Sequence, residues 1–132
     1  MCGTIVSVGS GASDIWSQGK RVVSIFNQSH QTGQVIEKDL ASGLGLPLDG
    51  VLTEYRVFPV DGIVNVPDYL TDEEAACLPI AAVTAWMSIN WMQPIGQHTS
   101  DSSTTVLLQG TGGVSISGLQ IAKACGLKGS QR

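Results

Sequence analysis

The sequence predicts an α/β chain: a β-rich first part, linking helices, and the first βα unit of a parallel sheet. Three observations carry that reading. Residues 4–66 hold short β-branched runs punctuated by glycine and aspartate. Residues 71–92 carry helix signals, and residues 104–126 read as strand, glycine turn and amphipathic helix in direct succession.

Taken in order, Thr4-Ile5-Val6-Ser7-Val8 is β-rich and stops at Gly9-Ser10-Gly11, which predicts a strand and a turn. A second strand is expected over Lys20-Arg21-Val22-Val23-Ser24-Ile25-Phe26. Residues 27–49 are polar and glycine-dotted without a period, the pattern of a long surface loop. Strand-type segments follow at 51–60 and 63–66, separated by Asp61-Gly62, a hairpin-turn signal. The character changes at Pro67. Thr71-Asp-Glu-Glu74 has capping-box spacing: the Thr71 hydroxyl accepts from the third helical N–H while Glu74 reaches back to the Thr71 N–H. The helix it starts is interrupted at Pro79, which has no N–H to donate, and is expected to resume over 80–92. A polar connector spans 94–103, so the expected division is 1–70, 71–103 and 104–132.

The last segment holds the most chemistry. Thr104-Thr-Val-Leu-Leu-Gln runs apolar into Gly110-Thr-Gly112-Gly113, and a helical pattern begins at once. Glycines there let backbone approach a diphosphate, and the opening helix turns its N–H groups and positive dipole end toward an anion. That is the opening of a dinucleotide-binding unit. The chain ends soon after Cys125, so a cofactor domain is expected to begin here without its second strand.

Bulk properties exclude other classes. A net charge of −4 with scattered basic residues argues against nucleic-acid binding, which needs a basic face. No membrane span is expected, because the apolar stretch 75–92 is broken by Pro79, Thr84, Ser88 and Asn90. The N-terminus lacks a basic, then apolar, leader, and three widely spaced cysteines suit reduced thiols; both point to the cytoplasm. Without a leader, Asn27-Gln28-Ser29 is a coincidental glycosylation sequon.

Six segments in order then carry a resemblance: Gly3-Thr-Ile-Val-Ser-Val-Gly9, Trp16-Ser-Gln-Gly-Lys-Arg-Val22, Gly50-Val-Leu-Thr-Glu-Tyr55, Ala75-Ala-Cys-Leu-Pro79, Thr84-Ala-Trp86 and Gly110-Thr-Gly-Gly-Val114. Together they resemble the medium-chain dehydrogenase/reductase superfamily, especially its zinc-independent quinone-oxidoreductase-like, alcohol dehydrogenase-like branch. The resemblance implies a partial GroES-like catalytic domain followed by a truncated Rossmann domain, with family sequence absent at both ends. It implies an NAD(P)-dependent oxidoreductase moving hydride to or from a carbonyl, quinone or activated alkene. It further implies a small-molecule substrate, NADP slightly favoured over NAD, and a homodimeric full-length form. The alternative is a truncated, inactive fragment or a non-catalytic interaction module. Two departures stand out: Lys20 occupies a turn position usually held by aspartate, and Ser115 replaces the third glycine of G-x-G-x-x-G.

On that resemblance Gly110, Thr111, Gly112, Gly113 and Val114 would line the diphosphate, and the Thr111 hydroxyl would add a donor. The Thr84 hydroxyl would contact the nicotinamide end; the competing reading is a helix threonine bonding back to the preceding turn. The residue that selects NAD or NADP falls near 130–133, and no Asp or Glu follows Asp101, so the choice stays open. No zinc is expected. The stretch between Gly3 and Ala76 has no cysteine for a structural site, and the position implied for the last catalytic ligand holds Ile80. Cys2, Cys77 and Cys125 read as buried small apolar residues, His30 and His98 as surface residues, and Trp86, Trp91 and Met92 as packing residues. Gly113-Val-Ser115-Ile-Ser117 fails the hydrolase Gly-x-Ser-x-Gly pattern at its last position. Asp72, Glu73 and Glu74 suit a helix first turn, and no residue qualifies as general acid.

Overall fold

The central strand of the first sheet is the valine-rich segment read as the second strand. The computed structural model describes residues 1–91, 93–94 and 97–131. It divides into two units, Met1–Pro79 and Ile80–Arg132. In the first, β1 (Cys2–Thr4), β2 (Arg21–Ser24) and β3 (Ile63–Asn65) form an antiparallel sheet in the order β1-β2-β3. Gly3 pairs with Val22, and Val23 with Val64. Val22, Val23 and Ser24 are all buried, as a central strand requires, and Val23 packs with Val66 and Ala75 beside Cys2 and Leu70.

The first helix to follow this sheet is the one the capping box announces. It is α2 (Asp72–Ala76); a shorter helix, α1 (Glu37–Leu40), lies earlier in the chain, between β2 and β3. At α2 the Glu74 N–H donates to the Thr71 hydroxyl at 3.2 Å, and the Thr71 N–H to the Glu74 carboxylate at 2.9 Å. Arg21 then fastens β2 to the helix start. Its Nη2 and Nε donate to Asp72 Oδ1 at 2.6 and 2.9 Å, and its Nη2 also reaches the Leu70 carbonyl at 2.7 Å. Arg21, then the Cys2 thiol, hold the Asp72 carboxyl below the usual carboxylate range. Burial, then Asp72, push the Cys2 thiol up, the opposite of an activated nucleophile.

Several sequence expectations change in this unit. The strand expected over 4–8 starts and ends earlier: past Thr4, Ile5 donates to the Lys20 carbonyl and accepts from Gly19, and among the described residues the ladder is not continued over 6–8. The segment 51–60 forms no strand among the described residues. Leu52 and Val57 are exposed, and β3 takes β2 as its partner instead. Asp61-Gly62 sits in a 3₁₀ turn, Val60–Gly62, not in a hairpin. Residues 27–49 are more than a surface loop. They contain α1 and a polar hub on the buried Asp39, whose carboxylate accepts from Ser29 Oγ at 2.9 Å and Ile36 N–H at 3.1 Å. His30 Nδ1 lies 3.2 Å from the same carboxylate, so His30 is a partner within the hub and not a free surface residue. Cys77 is exposed, against the expectation of a buried thiol, whereas Cys125 is buried.

A π-helical turn at Leu78–Ala82 carries the chain into the second unit and runs into α3 (Val83–Ile89). The helix stops short of the expected 92, because the buried Asn90 ends it. Its N–H and Nδ2 both donate to the Trp86 carbonyl, and its Oδ1 accepts from Thr99 N–H at 2.7 Å. Trp86 keeps 40% of its surface exposed and Trp91 68%, so neither is a core residue; Met92 lies outside the described residues. Then β4 (Thr105–Leu108), α4 (Gly113–Ala124) and β5 (Lys128–Gln131) follow. β4 and β5 pair in parallel, Thr105 with Lys128 through Leu108 with Gln131. The expectation of a lone βα unit without a second strand is therefore corrected: the segment is βαβ. The return is tight because Gly126 adopts φ 73°, and the Leu127 N–H donates back to the Ala122 carbonyl at 2.8 Å. Ala122, Cys125 and Leu127 form the core, with Ile89, Val106 and Ile121 against it.

Candidate dinucleotide site

β4 delivers its last paired residue, Leu108, directly into the turn Gln109–Gly112. Gly110 has φ 78°, a left-handed conformation that side chains resist. Gly112 is the N-cap of α4 in extended conformation, with φ −74° and ψ 170° and no side-chain cap on the helix. The first i−4 bond of the helix runs from Ile116 N–H to the Gly112 carbonyl. The N–H groups of Gly113, Val114 and Ser115 therefore have no acceptor of that kind within the helix. With the helix dipole behind them, they form a donor set suited to an anion.

The glycines of the turn divide into two kinds. A Cβ on Gly110 or Gly112 would meet nothing within 4 Å, so their faces are open to an approaching group. A Cβ on Gly113 would lie 3.2 Å from the Ala81 Cβ, so Gly113 lets the π-helical turn approach α4. This arrangement fits a diphosphate at Gly112, with Thr111 and Val114 exposed beside it.

Ser115, at the third-glycine position, donates from its hydroxyl to the Gln109 carbonyl at 2.7 Å. The close helix–strand packing usually given to that glycine is met one turn later. A Cβ on the buried Gly118 would fall 2.8 Å from Leu108 Cδ2 and 3.8 Å from the Ala85 Cβ. Sequence reasoning missed this residue, although a glycine inside an otherwise helical pattern is the signal that marks it. Gly129 on β5 does the same for Leu119, whose Cδ1 would lie 2.9 Å from an added Cβ.

Thr84 stands in the first turn of α3, exposed, and the helix bearing it packs along α4. On the same helix Ser88 Oγ donates to the Thr84 carbonyl at 2.8 Å. The Thr84 hydroxyl itself makes no hydrogen bond among the described residues. In the connector ahead of β4, Asp101 accepts from Ser103 N–H, Ser103 Oγ and Thr104 Oγ1, and these bonds, Ser103 foremost, lower its pKa. Among the described residues no helix is long and apolar enough to cross a membrane.

The first unit separately carries a groove of about 610 Å³ whose lining includes Val6, Trp16, Tyr55, Arg56 and Phe58. Arg56 sits 5.5 Å over the Phe58 ring and donates to the Gly50 carbonyl at 2.7 Å.

Comparison with known proteins accords with this geometry. Residues 1–68 match the alcohol dehydrogenase GroES-like domain family. A zinc-type alcohol dehydrogenase-like protein of Schizosaccharomyces pombe is 37% identical over 124 residues, 94% of this chain and 35% of the relative. An acryloyl-coenzyme A reductase of Metallosphaera sedula is 30% identical over 132 residues, 96% of this chain and 38% of its own length. Among solved structures, a Sinorhizobium meliloti protein assigned as an alcohol dehydrogenase superposes with TM-score 0.85 at 34% identity, covering 99% of this chain and 38% of that one. A mycobacterial protein complexed with NADPH superposes with TM-score 0.66 at 28% identity, covering 98% of this chain and 33% of its own. The chain thus spans about a third of the length of the curated relatives it matches over nearly its whole extent. A GroES-like match over the first half, a βαβ unit opening on a glycine turn, and relatives aligned across both make this chain a member of the medium-chain dehydrogenase/reductase superfamily.

Proposed function

We propose that this chain contributes the diphosphate-binding turn of an NAD(P)-dependent oxidoreductase that moves hydride to or from a carbonyl, quinone or activated alkene on a small molecule. The observation that carries the reading is Gly112: an N-cap with no side chain, open space where a Cβ would stand, and three first-turn N–H groups behind it. The NADPH held by the mycobacterial neighbour supports the cofactor class, and the reductase relative supports the reaction class. When bound, the nicotinamide supplies or accepts the hydride.

The chain's own residues would act by binding and orientation. The N–H groups of Gly113, Val114 and Ser115 offset diphosphate charge, Thr111 adds a hydroxyl, and Thr84 offers an uncommitted hydroxyl on the neighbouring helix. The reading takes NADP over NAD and no zinc, the latter resting on the cysteine-free stretch before Ala76 and on Ile80. A homodimeric, cytoplasmic full-length form belongs to the same proposal. Titrating the chain with NADPH and NADH while following amide shifts in 110–115 tests it. Shifts confined elsewhere, or none, would defeat it.

One observation favours a second reading, a chain without turnover of its own. Among the described residues β4 and β5 form a sheet of two strands, and Leu107 on β4 is 67% exposed. Parallel sheets of this type are normally covered on both faces.

A further inference from the structure

We infer that Ser115 is a positioning residue of the cofactor turn, holding it in its binding shape before the cofactor arrives. This rests on the reading of the turn as a dinucleotide site. The hydroxyl of Ser115, in the first turn of α4, donates at 2.7 Å to the carbonyl of Gln109, the residue that follows β4. One hydrogen bond thus joins the end of the strand to the start of the helix across Gly110, Thr111 and Gly112. Two of those three are glycines, the residue with the most backbone freedom to lose on ordering. The helix has no side-chain N-cap to hold it from the other side. The bond also gives a donor to a carbonyl oxygen beside a site built to receive negative charge, where an unsatisfied oxygen would repel the ligand. A glycine at position 115 provides neither effect. Ser115 is therefore an addition to the turn and not merely a tolerated replacement, with Gly118 providing the close packing.

Ser115→Thr and Ser115→Val test this, because the two side chains share a shape and differ in the hydroxyl. Both are compared with the parent chain in NMR titrations with NADPH and with inorganic pyrophosphate, alongside urea unfolding. The threonine variant should bind both probes as the parent does. The valine variant should bind both about fivefold more weakly, the worth of one hydrogen bond of about 1 kcal/mol. Equal affinities for the two variants, or a valine effect on the urea midpoint alone, would show a packing role and overturn the inference. Gly112→Val separates the levels. If it abolishes binding while Ser115→Val does not weaken it, only the positioning role fails. If the parent binds neither probe, or Gly112→Val binds as the parent does, the dinucleotide reading fails and the inference with it.

Discussion

Gly112→Val should separate binding from folding, because the position is open to solvent but sits at the mouth of the donor set. Its φ of −74° and ψ of 170° are ordinary for valine, and an added Cβ meets no atom within 4 Å. The stability cost should therefore stay within about 1 kcal/mol, the usual range for exchanging an N-cap residue. The new methyl groups instead occupy the space through which a diphosphate reaches the N–H groups of Gly113, Val114 and Ser115. Losing two charge-assisted hydrogen bonds at about 1.5 kcal/mol each removes about 3 kcal/mol, roughly a 150-fold loss of affinity. Titration with NADPH, read by amide shifts, paired with urea unfolding of the same samples, measures both quantities. An unchanged affinity in a folded variant would refute the assignment of the turn. A collapse of stability would refute the claim that the Gly112 face is open.

Leu127→Ala should cost about 2–4 kcal/mol in urea unfolding, since Leu127 is 7% exposed and closes the cluster with Ala122 and Cys125. Asp39, Asp72 and Asp101 all have lowered carboxyl pKa values in the folded chain, so their contribution is present above the unfolded carboxyl pKa of about 4. It is lost as pH falls through the lower folded values, and Asp39→Asn should flatten that acid slope in pH-dependent melts. Elemental analysis of the purified chain should find no stoichiometric zinc; one tightly held ion per chain would overturn the zinc-independent reading. The chain alone should show no NAD(P)H turnover and should self-associate through the β4–β5 sheet. Leu107→Glu should shift its sedimentation toward a monomer, whereas a parent chain that is monomeric and active would contradict this.

The features legible in the amino-acid sequence are those whose determinants lie within a few residues of one another. The Thr71–Glu74 capping box, the Arg21–Ser24 strand and the strand–turn–helix at Thr105–Ala124 each carry their own hydrogen-bonding or packing logic locally. The six family segments were readable for the same reason, being short motifs in a set order, and the comparisons agree with the family they indicate. Tertiary structure decided whatever needs a distant partner. Residues 51–60 have strand composition, but a strand exists only where another backbone pairs with it, and β2 pairs with Ile63–Asn65. Lys128–Gln131, a Lys-Gly-Ser-Gln run with little strand propensity, is a strand because β4 lies beside it and Gly126 turns the chain back. His30 and Asp39 are nine residues apart and show no motif, yet folding brings them within 3.2 Å. Gly118 carries no motif of its own, and its need to be glycine comes from Leu108 and Ala85 packed against it. Ser115 looked like a lost glycine until its hydroxyl met Gln109. Local chemistry names the turn and the caps; the neighbours that make a strand a strand, or a glycine necessary, exist only after the chain has folded.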